Sequence, residues 1–255
     1  MKLAIISDLH SNKEALEAVF RDIRERGVTD LVCLGDVVGY GPDPEFCVDL
    51  VRGHARWCLM GNHDDALFRD ASDFNPHARG AIDYTRRRMQ PHWWSSSERR
   101  SRWRWLKGLP LRVQEGRFLF VHGSPRDPIR EYVLGTDGIL NPDKLRSIFD
   151  ALESGGVGVA GHTHQPGLHD EAFRWQGMGG RDELTLELEP GHKYFVNVGS
   201  TGQPRDGDPR ACYAVLEEER VSWYRVSYEY RETQEKILRT GVLSELLARR
   251  LAVGK

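Results

Sequence analysis

Asp8 with His10, Asp36, Asn62-His63-Asp64, His122, and His162 with His164 are the residues of this 255-residue chain whose types and spacing carry chemistry. Carboxylate oxygen and imidazole nitrogen are donors that hard and borderline divalent cations take. Two such cations, roughly 3.5–4 Å apart, activate water, neutralise phosphoryl oxygens and steady a leaving oxygen, which is the chemistry of phosphate-ester hydrolysis. A carboxylate shared between the ions sets their spacing, and Asp36, which closes a central apolar run, is the candidate bridge. Two divalent ions bring four positive charges against the negatives of Asp8 and Asp36, and a net charge of about +2 attracts phosphate in a partly desolvated crevice. Asn62 and His63 are adjacent on a tight turn and do not readily serve one ion. With Asn62 as ligand, His63 faces the substrate as candidate general acid. Asp64 is expected to hold the His63 imidazole and favour its protonated form.

Each of these groups closes a short apolar run, at 3–7, 31–34, 57–60, 118–121 and 157–160. Runs of this length, rich in β-branched residues and stopped by glycine or a polar residue, read as buried strands. In an open α/β sheet the site lies beyond the carboxyl ends of the strands, so one sheet is expected to deliver all of them to one crevice. Asn12 caps a predicted helix over 13–26, with Leu16, Val19, Phe20 and Ile23 on one face. Further helices are predicted over 45–52, 77–89, 97–107 and 142–153. The second half is strand-rich, at 171–176, 184–189, 194–198, 211–217 and 220–228. A helical tail covers about 229–252, broken near Gly241. The site residues run from Asp8 to His164, so no boundary can divide them, and 1–255 is taken as one α/β domain of two sheets with flanking helices.

Composition excludes little and nominates little. Charged residues make up 29% and the net charge is −2, so bulk electrostatics does not point to nucleic acid or an anionic membrane. No apolar stretch approaches the ~18–20 residues of a membrane span. The apolar N-terminal run is too short for a secretory signal. Cys33, Cys47, Cys58 and Cys212 form no C-x-x-C pair and read as buried small hydrophobes. The expectation is a cytoplasmic protein of unspecified oligomeric state, without membrane contact.

Taken together, Asp8-Leu9-His10, Gly35-Asp36, Gly61-Asn62-His63-Asp64, His122 and Gly161-His162-Thr163-His164 resemble the motif set of the calcineurin-like metallophosphoesterase superfamily. His122-Gly123-Ser124-Pro125 and Asn197-Val198-Gly199-Ser200 are similar to its small bacterial phosphodiesterase branch. The resemblance implies a four-layer α/β/β/α sandwich of two mainly mixed sheets flanked by helices. It implies one metal on Asp8, His10, Asp36 and His164, and a second on Asp36, Asn62, His122 and His162. His63 with Asp64 would be the proton-donating pair. Manganese fits the bacterial members, with Fe, Zn, Co or Ni as other choices. Members that act on phosphoproteins carry an arginine shortly after the bridging aspartate. Tyr40 stands there in this chain, which directs the expectation to a small-molecule phosphodiester or nucleotide and leaves no clamp at that point.

Arg126 and Arg205, each in a loop near the predicted site, are candidate phosphate grips. Two rival readings remain. Arg86 to Lys107 mixes eight basic residues with Trp93, Trp94, Trp103 and Trp105, a mixture that a nuclease could use to steer nucleic acid; Trp103, Leu106 and Leu109 also fit the inward face of a surface helix. The other rival is a metal-bound interaction scaffold without turnover. His54, His77, His92, His169 and His192 lie outside the pattern and read as surface or packing residues.

Overall fold

The computed structural model describes residues 2–255. In its first half the elements are β1 (Lys2–Ile6), α1 (Lys13–Glu25), β2 (Asp30–Cys33), α2 (Pro44–His54), α3 (Asn62–Ala66), α4 (Pro76–Met89) and α5 (Ser97–Lys107). Then come β3 (Arg112–Glu115), β4 (Phe118–Val121), α6 (Asp137–Leu140), α7 (Pro142–Asp150), β5 (Val157–Ala160), β6 (Gly167–Asp170) and β7 (Trp175–Gly177). The last are β8 (Glu183–Glu187), β9 (Tyr194–Asn197), β10 (Ala211–Glu217), β11 (Arg220–Val226), α8 (Tyr230–Arg239) and α9 (Glu245–Leu251).

Two mixed sheets result. A five-stranded sheet runs β2-β1-β10-β11-β8, and a six-stranded sheet runs β3-β4-β5-β9-β6-β7. Strand periodicity sorts the side chains into layers. Leu3 and Ile5 of β1, with Val32 of β2, pack against Phe118, Phe120, Val157 and Val159 of the other sheet. Their neighbours Ala4, Ile6, Leu31 and Cys33 face outward onto Leu16, Val19, Phe20 and Ile23 of α1 and onto α2. On the far side, Val121, Ala160 and Phe195 take Leu145, Ile148 and Phe149 of α7. The order of layers is therefore helix, sheet, sheet, helix. Burial on both faces explains why β1, β4 and β5 read as unbroken apolar runs.

The apolar runs thus belong to two sheets and not one: β1 and β2 lie in the first, β4 and β5 in the second. The run at 57–60 joins as a single parallel bridge, Cys33 to Cys58. Of the segment read as a strand at 171–176, residues 171–174 are a reversal between β6 and β7, and the strand begins only at Trp175. Asp170 Oδ1 accepts from the amides of Ala172 and Arg174, both at 3.0 Å, and closes that turn. The helix predicted at 13–26 forms, with Asn12 Oδ1 accepting from the Ala15 amide at 3.2 Å. In the tail, α8 and α9 are separated near Gly241, whose φ of +65° would strain any other residue. The tail folds back: Thr233 Oγ1 donates to Glu14 (2.6 Å) and lies 3.0 Å from Asn12 Oδ1, both of the first helix region. Ile237, Leu247 and Leu251 pack beside Tyr40, Ala78, Ala81 and Tyr84. Among the described residues no helix is long and apolar enough to cross a membrane.

Candidate active site

The motif residues occupy the loops that leave β1, β2, β4 and β5, together with the first turn of α3. The loops lock onto one another through the backbone. Asp8 N donates to Gly35 O (3.0 Å), and Leu9 N and His10 N donate to Asp36 O at 2.9 and 3.0 Å. His162 N donates to Asp8 Oδ2 at 2.9 Å, which ties the two sheets at the site. Among the described residues eight non-glycine residues have positive φ, and seven of them are Asp8, His10, Ser11, Asp36, Tyr40, His162 and His164. The left-handed region costs such residues of order 1–3 kcal/mol each and persists only where the surroundings over-determine it. Five of these seven are metal-type residues, so the strain falls on the turns that aim those side chains.

Their donor atoms form overlapping groups. Asp8, His10 and His164 bring one ligand atom each to within 4.8 Å of one another, and so do Asp36, His122 and His162. Asp36 Oδ2 stands between these groups, 3.7 Å from His10 Nε2 and 3.5 Å from His122 Nε2. Asn62 Oδ1 lies 3.2 Å from His122 Nε2, beside the second group. His63 also comes within this reach of His10 and Asp36, a third grouping that the sequence did not suggest.

Proton placement makes these groups fit cations. The other ring nitrogen of each histidine faces a main-chain carbonyl: His10 Nδ1 to Val38 (3.3 Å), His122 Nδ1 to Leu34 (2.9 Å), His162 Nε2 to Arg130 (3.1 Å) and His164 Nδ1 to Gln203 (2.5 Å). A carbonyl only accepts, so those nitrogens carry the protons and the inward nitrogens present lone pairs. His10 Nε2 and His164 Nε2 then oppose each other at 3.2 Å with no proton between them. Asp8 Oδ1 is buried without a hydrogen bond, with His164 Nε2 3.1 Å away. Lone pairs so crowded and so buried are costly; a divalent ion at each group satisfies them.

Electrostatics agrees. Burial, with neighbouring charge, pushes His162 down to about 3 and His164 to about 4, so both are neutral at pH 7. Burial lowers His10 and His122 as well. Burial raises Asp8, but His164, His122 and His10 outweigh it and hold the carboxyl well below its ordinary range. Asp36 is driven well above that range by burial and by Asp8 and Asp64. A cation is what lets so many carboxylates stay ionised in one dry place.

Asp64 corrects the sequence reading. It was expected to hold the His63 imidazole. Its carboxylate instead accepts from the main-chain amides of Gly61 (3.1 Å), Val38 (3.2 Å) and Val37 (3.3 Å). At the third residue of α3 it reaches back to the amide of the N-cap residue, Gly61, and pins the Asp36 loop to the Asn62 turn. His63 Nδ1 is buried with no hydrogen-bond partner. The His63 ring is held by packing: its centroid lies 4.4 Å from Tyr40, 4.9 Å from His10 and 5.1 Å from Phe74. Gly39 completes the seat, since a Cβ there would stand 2.5 Å from His63 Nδ1 on a backbone with φ +100. Gly39→Ala is expected to displace His63, lowering kcat, and to destabilise by roughly 1–3 kcal/mol. Steady-state kinetics with a thermal melt checks both.

Arg126 is also placed elsewhere. It forms an ion pair with Glu131 at the surface, and Ser124 Oγ donates to the same carboxylate at 2.5 Å. Arg205 does reach the site: its Nη2 lies 3.4 Å from the Tyr40 hydroxyl. Tyr40 therefore does not leave that point without a cation, because Arg205 supplies one from a distant loop. Next to the metal-type residues lies a cavity of about 230 Å³, lined by Tyr40, Asn62, His63, Asp73, Phe74, Asn75, Arg130, Tyr132 and His162. Tyr132 stacks 3.9 Å from the His162 ring. Neither Arg130 nor Tyr132 was singled out from the sequence, and no motif marks them.

The basic-aromatic segment is largely occupied in internal contacts. Arg102 pairs with Asp49 (2.6 Å) and Arg88 with Glu45 (2.8 Å). Arg86, Arg99 and Arg100 donate to main-chain carbonyls. Leu106 is fully buried, and Trp103 and Trp105 pack onto the helix-covered core. Trp93 and Trp94 remain exposed, at 85% and 67%.

Paired sheets that converge on buried carboxylates and imidazoles define a metal-dependent phosphoester hydrolase. Residues 1–220 match the calcineurin-like phosphoesterase superfamily domain, and the chain belongs to that superfamily, whose centres hold two divalent metals. An uncharacterized protein of Methanocaldococcus jannaschii is 34% identical over 262 aligned positions, covering 99% of this chain and 98% of its own length. A metallophosphoesterase from Sphaerobacter thermophilus is similar over 100% of both chains, with 38% identity and a TM-score of 0.84. A hypothetical protein from Pyrococcus horikoshii shares the fold, with a TM-score of 0.72 at 16% identity over 100% of this chain and 98% of its own.

Proposed function

We propose that the protein, acting as one domain over 1–255, is a phosphodiesterase for a small or nucleotide substrate. The observation that carries this reading is the cavity beside His63. It joins the metal-type residues to a wall of aromatic rings, Tyr40, Phe74 and Tyr132, and to the guanidinium of Arg130. At about 230 Å³ it is smaller than the roughly 300–1,000 Å³ of drug-sized sites. That size suits a compact aryl or nucleoside-like group attached to the phosphoryl.

The residues take separate roles in this reading. Asp8, His10, Asp36 and His164 would hold one divalent ion, and Asp36, Asn62, His122 and His162 the other. When bound, these ions supply Lewis acidity and an activated water. The carbonyls of Val38, Leu34, Arg130 and Gln203 fix the imidazoles in the tautomer that ligates. His63 gives its proton to the leaving oxygen. Burial and Arg205 push its pKa well down, and an arriving phosphate anion opposes both effects. Asp64 positions the turn that carries His63. Oxygen and imidazole donors without thiolate support manganese as the native ion. Four buried, free cysteines support a reducing, cytoplasmic setting.

The test is a panel of aryl phosphate mono- and diesters on metal-stripped protein to which single metals are returned. Faster metal-dependent release from the diester is expected, with manganese the best activator. A clear monoester preference, or no turnover of either ester, overturns the diester assignment.

A further inference from the structure

We propose that Arg205 and Arg250 form an anion-binding subsite at the rim of the active site, built for a second anionic group on the substrate. It rests on the phosphoesterase reading and deepens it: the substrate class becomes a phosphodiester bearing a further phosphate or carboxylate. Arg205 comes from the loop after β9, and Arg250 from the last turn of α9. Both guanidinium carbons stand over one ring, 5.8 and 6.0 Å from the centroid of Tyr40. That ring lies 4.6 Å from His10 and 4.4 Å from His63. The pair of cations is therefore one aromatic ring away from the metal-type residues.

Their partners are the telling feature. Arg205 donates to the neutral amide oxygen of Gln203 at 2.9 and 3.3 Å. Arg250 Nε donates at 2.6 Å to an oxygen of Lys255, the final residue, so the group now in contact with it is a carboxylate and no side chain. Among the described residues, neither guanidinium has an Asp or Glu side chain within ion-pair distance. Nearby arginines do: Arg210 pairs with Asp208 (2.7 Å) and Arg225 with Asp206. Two like charges over one ring repel, and the partly buried setting strengthens that repulsion. The face of Tyr40 offsets part of it. An anion lying between two guanidinium forks offsets more, and bidentate geometry selects phosphate or carboxylate. The fold holds the arrangement in place: α9 is anchored by Leu247 and Leu251, which pack in the cluster that includes Tyr40, and Tyr40 itself has φ +49. Arg250 lies beyond the stretch 1–220 that matches the superfamily domain, so this cation is an addition made by the tail.

Two measurements test the subsite. In the first, calorimetry follows inorganic pyrophosphate binding to metal-stripped protein, so that no metal contributes. Arg250→Gln and Arg205→Gln are each expected to weaken binding about tenfold or more, with Arg250→Lys in between because it keeps the charge and loses the fork. In the second, metal-loaded enzyme is given thymidine 5′-(p-nitrophenyl phosphate) with and without a 3′-phosphate. The parent is expected to favour the 3′-phosphorylated ester in kcat/KM by about tenfold or more, and the ratio is expected to fall towards one in Arg250→Gln. A thermal melt of each variant separates loss of the subsite from loss of the fold. Unchanged pyrophosphate affinity in folded Arg250→Gln overturns the proposal, as does an equal ratio in parent and variant. If neither ester is hydrolysed, the diester reading fails while the calorimetric result still decides the subsite.

Discussion

His63→Ala is expected to keep its full complement of metal and to hydrolyse an aryl phosphodiester about 10²–10⁴-fold more slowly than the parent. The main-chain amide of His63 donates to Asp36 Oδ1 at 2.8 Å, and alanine preserves that bond. The imidazole Nδ1 has no partner to lose. Removing the ring therefore deletes a proton donor without unpairing a neighbour. The loss is expected to be larger for a poor alkoxide leaving group than for p-nitrophenolate, which departs without protonation. Elemental analysis beside kinetics with both leaving groups makes the test. Loss of metal would show that His63, which lies within ligand reach of His10 and Asp36, acts as a ligand. Unchanged turnover would remove it from the reaction.

Asp36→Asn is expected to empty both metal positions. Asp36 Oδ2 lies within 3.7 Å of His10 Nε2 and 3.5 Å of His122 Nε2, one from each group. In asparagine, the oxygen that accepts from His63 N–H leaves the amide NH₂ facing those nitrogens, and a donor cannot ligate a cation. The expected fall in affinity exceeds the roughly 10–100-fold that follows loss of an outer-shell partner, with turnover falling alongside. Metal stoichiometry after dialysis checks it, and two equivalents held at parental affinity would contradict the bridging role. The stripped variant is expected to melt at or above the stripped parent, because Asp36 is buried beside two other buried carboxylates, Asp8 and Asp64, which act on it as like charges.

Much of this site is visible in the chain because ligands that close apolar strands follow directly from covalent order. Asp8, Asp36, His122 and His162 each stand within three residues of a strand end, so the hydrophobic run announces the ligand. The distribution over two sheets is not visible, since an apolar run has the same signature in either sheet of a sandwich. The role of Asp64 was hidden because adjacency to His63 suggested contact, whereas the first turn of α3 directs its carboxylate back to the amides at 37, 38 and 61. Arg126 looked suitable by position, but Glu131, five residues on, captures it. Arg130, Tyr132 and Arg250 enter the site through tertiary packing, and no local periodicity encodes that. The strand expected at 171–176 starts late, at Trp175, for a local reason: Asp170 folds the chain back on itself over 171–174.

The left-handed turns at Asp8, His10, Asp36, His162 and His164 bear on how this scaffold can change over generations. Glycine would relax each of those turns, so drift towards a sturdier fold and drift away from catalysis run along the same substitutions. Selection for activity must hold these positions against that slope, and a lineage released from it would be expected to shed its ligands first where the backbone is most contorted.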